Sequence, residues 1–132
     1  MKRIVPLAVV ALALLSCQSV PTDIPEDLTQ AELVQQAQES ADQENWDAAL
    51  AYYQAVLDRF PQDKVASVTA QYEMAFIEYK RGSTEVAEDG FQQVVAVYDF
   101  ESESLPQWPR VLSERLLEKI ASEREAQTTD SQ

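Results

Sequence analysis

The chain has 132 residues and is strongly acidic, with 23 Asp and Glu against 10 Lys and Arg and a net charge of −13. Phosphate contacts need a basic face, so this composition argues against nucleic acid as a partner and against adhesion of the domain surface to anionic lipid. One Cys and no His leave no intramolecular disulfide and none of the usual ligand sets for zinc or the softer metals, so no metal or cofactor is expected.

In chain order, Met1 to Cys17 reads as a processing segment outside the fold. Lys2 and Arg3 give it a basic start, and Ile4 to Leu15 form an apolar run. That run is too short to span a bilayer comfortably. It ends in Leu14-Leu15-Ser16-Cys17, which resembles the signal of bacterial lipoproteins. The resemblance implies a signal peptide over 1–16 and makes Cys17 the lipid-carrying first residue of the mature protein. Two or three acyl chains on one residue hold a protein to a membrane firmly, where a single chain holds it marginally. Gln18, where Asp would favour the inner membrane, implies by the same resemblance an outer-membrane anchor facing the periplasm. Residues 17–28, with Pro21 and Pro25 and no helical periodicity, are expected to form an extended, flexible tether.

The domain proper is expected over 29–125. Thr29 and Glu32 have the spacing of a capping box, and Leu28 and Leu33 that of its hydrophobic staple. A first helix is predicted to run to about Gln43. Asn45 caps a second, which Pro61 closes after Arg59. Asp63 caps a third, from Lys64 to about Arg81, and Gly82 ends it. Ser83 caps a fourth, to about Tyr98. A short acidic connector then leads through Leu105–Pro109 into a last helix, to about Glu125, with Trp108, Leu112, Leu116 and Ile120 as its apolar stripe; it reads as a capping helix or as the first half of a degenerate third repeat. Residues 126–132 are expected to be a disordered tail.

Two of these helix pairs repeat. At an offset of 38 residues, Ala37, Ala49, Tyr53, Val56, Leu57 and Phe60 correspond to Ala75, Ala87, Phe91, Val94, Val95 and Tyr98. The spacing Ala49-x3-Tyr53, with Pro61 closing the helix and Ala37 upstream, resembles the tetratricopeptide repeat. The resemblance covers Thr29 to Asp99 and implies an all-α fold, a short solenoid of helical hairpins with a C-terminal capping helix. The family period is 34 residues; the longer one is similar to repeats of cell-envelope lipoproteins. Gln36, Ser40 and Asp99 depart from the family's Leu, Tyr and second Pro.

No catalytic constellation is visible, and a non-enzyme is expected. A serine nucleophile has no His to act as base, and two glycines, Gly82 and Gly90, make no phosphate loop. Glu85, Glu88, Asp89, Glu101 and Glu103 have no calcium-loop spacing. Tyr72, Phe76 and Tyr79 share one face of the third helix. By the family resemblance they line a groove with Thr69 at one end, and the equivalent face of the first helix carries Ala31, Val34, Gln38 and Ala41. Two readings stand for this stripe: a partner-binding surface, or packing beneath a neighbouring helix such as the last. Trp46 and Trp108 are expected to be packing residues. The function expected is a lipid-anchored adaptor that binds a protein partner of the cell envelope. The rival is a lipoprotein that holds a small molecule in an aromatic-lined pocket. Repeat arrays bury a continuous core with at least about three repeats, so this shorter array is expected to self-associate or to be completed by its partner.

Overall fold

The structure is a computed structural model that describes residues 19–21, 23–101 and 103–130. The described residues are all-helical: α1 (Gln30–Asp42), α2 (Trp46–Arg59), α3 (Lys64–Lys80), α4 (Thr84–Glu101) and α5 (Trp108–Asp130). None of these helices is long and apolar enough to cross a membrane.

Local chemistry sets most of the helix ends. The Thr29 hydroxyl accepts from the Glu32 N–H at 3.3 Å, and the Glu32 carboxylate accepts from the Thr29 N–H at 2.8 Å. Those bonds hold the Glu32 carboxyl below its ordinary pKa, first through the Thr29 side chain and then through its backbone. Asn45 accepts from the Ala48 N–H, and Asp63 from the Ala66 N–H. Helix α2 stops at Arg59, because Pro61 has no N–H to continue the ladder.

The ends of α1 and α3 match each other. The Asn45 N–H bonds to the Ser40 carbonyl and the Glu44 N–H to Ala41, each at 2.9 Å. At the equivalent turn, the Ser83 N–H bonds to Glu78 at 2.9 Å and the Gly82 N–H to Tyr79 at 3.1 Å. Both are Schellman closures, which require a left-handed residue just after the helix. That residue is Gly82, at φ 88°, in one turn and Glu44, at φ 56°, in the other.

Helix α1 pairs with α2, and α3 with α4; α2 then packs on α3, α4 on α5, and α5 also reaches α3. The small residues are where helices meet. Ala37, Ala49 and Ala87 are fully buried, and Ala75 nearly so. Tyr53 with Val56, and Phe91 with Val94, fill the two cores at corresponding places. The last helix continues the series at one position whose match the sequence did not make plain. Ser113 lies a further 38 residues past Ala75 and is fully buried against α5's neighbours. Its hydroxyl has no hydrogen-bond partner among the described residues.

Three expectations are corrected. Helix α4 runs on to Glu101 rather than ending near Tyr98, and α5 reaches Asp130 rather than Glu125. The Glu88–Arg124 ion pair ties the C-terminal part of α5 to α4. The segment before α1 is docked rather than free from Ser19 onward. The Arg59 guanidinium donates to the carbonyls of Ile24 at 2.8 Å and Pro25 at 2.6 Å, while the Asn45 amide donates to Ser19 at 3.4 Å. Ile24 and Leu28 pack against the first core. An extended chain leaves its carbonyls unpaired, and a guanidinium fork at the end of α2 takes two of them.

Candidate functional site

Cys17 lies outside the described residues. Of the four groove candidates on α3, the structure separates one from the rest. Tyr72 is 6% exposed. Its ring lies 5.9 Å from Phe91 and 6.1 Å from Phe76, and it meets Trp108 of α5 edge-on at 5.2 Å. Burial raises the Tyr72 hydroxyl above its usual pKa, with Glu73 adding to the effect. Tyr72 is therefore a core residue beneath α5 and has no free face for a partner. Tyr79 is half-buried beside the same helix, with the Lys119 ammonium 5.4 Å from its ring centre. Thr69 is half-buried on α3 and away from the cleft described next.

Phe76 is half-buried: it stacks with Tyr72 at 6.1 Å and Tyr79 at 6.5 Å and packs against the second core, and it also borders the space between α3 and α1. It lines a cleft of about 410 Å³ between the two helices. Gln38, Ala41 and Asp42 form the α1 wall; Glu73, Phe76, Ile77 and Lys80 form the α3 wall; Trp46 and Tyr53 of α2 close the floor. Of the four residues on the equivalent face of α1, Gln38 and Ala41 line this cleft. Trp46 packs on the first core, as expected, and presents a half-buried ring here as well. The rim residues Gln38, Asp42, Glu44 and Lys80 are exposed, so the space is an open cleft rather than a sealed cavity.

Sequence reading missed Glu73. It lies between Tyr72 and Met74 on a helix whose neighbours are apolar, and one carboxylate among 23 acids carries no signal of its own. In the structure it is half-buried and forms no hydrogen bond or ion pair among the described residues. Burial raises its carboxyl above the ordinary value. Tyr53, at the cleft floor, is pushed well above its usual range, first by burial and then by the charges of Glu73 and Asp42, so its hydroxyl stays neutral.

Two of the acidic residues noted on α4 form ion pairs. Glu88 binds Arg124, and Glu101 binds Lys64 at 3.3 Å. Arg81 at the end of α3 bridges Glu78 at 2.8 Å and Asp47 at 2.9 Å, joining the two hairpins.

No family model matches the chain, and no solved structure matches it. It is 40% identical over 88 residues to an uncharacterized protein of Treponema pallidum (strain Nichols). The match takes in 65% of this chain, which spans about a third (35%) of that relative's length.

Proposed function

We propose that this protein is a lipid-anchored adaptor of the cell envelope, built from tetratricopeptide-like helix pairs, that holds a segment of a protein partner in the cleft between α1 and α3. It performs no chemistry of its own. The observation that carries the reading is the cleft itself: Trp46 and Tyr53 at its floor and Phe76 on its α3 wall, under an exposed rim. Aromatic side chains bury a large area with few rotamers to freeze, and binding hot spots are enriched in them. A volume of about 410 Å³ is also enough for a small ligand, but such ligands are usually buried over most of their surface, and the open rim favours a peptide segment.

Support for the repeat assignment comes from three places. The same four positions are buried in each helix pair, and the two Schellman turns lie 38 residues apart. Helix α5, with Ser113 in register with Ala37 and Ala75, takes the place of the first helix of a third pair. That third pair is unfinished among the described residues. Trp108, Val111 and Leu112 are 36–40% exposed on α5, which supports completion of the stack by a partner or a second copy. Anchoring rests on Cys17 and the apolar run before it.

The test has two arms. In cells, Cys17→Ala should release the protein from the membrane fraction and abolish acyl labelling; unchanged attachment refutes the anchor. For the cleft, a photo-crosslinker placed at Phe76 should capture one defined envelope protein, and Phe76→Ala should lose that partner while folding normally. Truncating a hot spot costs at least about 2 kcal/mol of binding, roughly thirtyfold in affinity. Tyr72→Ala should instead lose about 3–5 kcal/mol of folding stability. Loss of stability in both variants would mean that Phe76 is core too.

A further inference from the structure

The cleft's charge is not that of a neutral peptide groove. Asp42, Glu44 and Glu73 line it against a single amine, Lys80. Most acids of this chain stand in water, where their charge says little about a partner. Glu73 differs, because it is half-buried in the cleft with Tyr53 and Phe76, and its carboxylate has no hydrogen-bond or ion-pair partner among the described residues. A carboxylate partly withdrawn from water and left unpaired is penalised, and a ligand that brings a donor offsets that penalty on binding.

Resting on the adaptor reading, we infer that the partner segment is basic and places an arginine or lysine side chain in this cleft, its cation on Glu73 and its aliphatic stem on Phe76 and Trp46. Three features of the site fit that occupant. A guanidinium supplies a planar fork that a carboxylate accepts with both oxygens. Cations are attracted to ring faces, and the half-buried Trp46 and Phe76 provide two. The stems of these side chains are apolar and bury well against aromatic carbon. Asp42 and Glu44 at the rim add long-range attraction, which speeds encounter and weakens with salt. An acidic segment would meet the opposite: a partly desolvated like charge on the α3 wall.

The experiment uses the full chain as purified from membranes and a blocked nonapeptide with three arginines and three leucines. A counterpart carries glutamate at every arginine. The arginine peptide should bind and the glutamate peptide should not. Glu73→Gln keeps the shape and removes the charge, and should weaken arginine-peptide binding at least tenfold. Asp58→Asn, the same charge change on the exposed far side of α2, should alter it less than twofold. Equal losses in the two variants would mean attraction to general acidity and overturn the inference, as would no binding of the arginine peptide. The adaptor reading fails separately. A crosslink from Phe76 to an envelope protein, without affinity for the arginine peptide, overturns only the basic occupant. No crosslink from Phe76 at all removes the cleft as a binding site.

Discussion

Gly90 is where the packing of α3 on α4 can be tested most directly. A Cβ built on Gly90 would lie 2.8 Å from the Ala75 Cβ and 3.4 Å from the Ala75 Cα. Carbon atoms sit favourably at about 3.5–4.0 Å, so the added methyl is too close by roughly 1 Å and the helices must separate. Overpacking of this kind costs about 1–3 kcal/mol. Opposing it, Ala is about 1 kcal/mol better than Gly inside a helix. Gly90→Ala should therefore lose about 1 kcal/mol net, although helix propensity alone predicts a gain of that size. Removing the opposing methyl tests the cause. In urea unfolding, the pair Gly90→Ala with Ala75→Gly should be less destabilised than the sum of the single variants, by about 1–2 kcal/mol, as contacting residues are expected to couple. A Gly90→Ala protein with a raised midpoint, or strict additivity in the double variant, would refute the close approach.

Further outcomes follow from single sites. Glu44 occupies a left-handed position that suits glycine, so Glu44→Gly should stabilise by about 0.5–1 kcal/mol, with strain relief partly offset by the freer unfolded chain. Gly82→Ala has open space around the new Cβ but the same backbone problem, and should lose about 1 kcal/mol in the same urea assay. Ser113→Ala should gain about 1 kcal/mol, because it removes a buried hydroxyl with no partner; a loss would show that the hydroxyl is bonded. Glu73 titrates above the ordinary carboxyl value of 4.5, so the folded state holds its proton more tightly than the unfolded chain does. Its contribution to stability is greatest below the unfolded pKa and falls as pH rises through the folded one. Glu73→Gln should flatten the stability profile from about 4.5 upward and be at least as stable as the parent at pH 7; an unchanged profile refutes the desolvated carboxyl.

The sequence by itself determined where most of the helices begin and end. Thr29 with Glu32, Asn45, Asp63, Pro61 and Gly82 act on backbone groups within five residues, so their effect is written locally. It also determined the two helix pairs, because a small residue, an aromatic and a branched residue recur at one offset and both copies are buried in the same way. Glu44, in the place of Gly82, hid the equivalence of the two turns. Tertiary structure decided which ring faces water. Tyr72, Phe76 and Tyr79 share a face of α3, but α5, from more than thirty residues downstream, lies over the first and beside the last, while Phe76 divides its surface between the second core and the cleft. The same holds for Glu73, for the docking of Ser19 on Asn45 and of Ile24 and Pro25 on Arg59, and for Gly90. Each depends on what a distant segment brings within a few ångströms, and helical spacing fixes which residues share a face without fixing what that face meets.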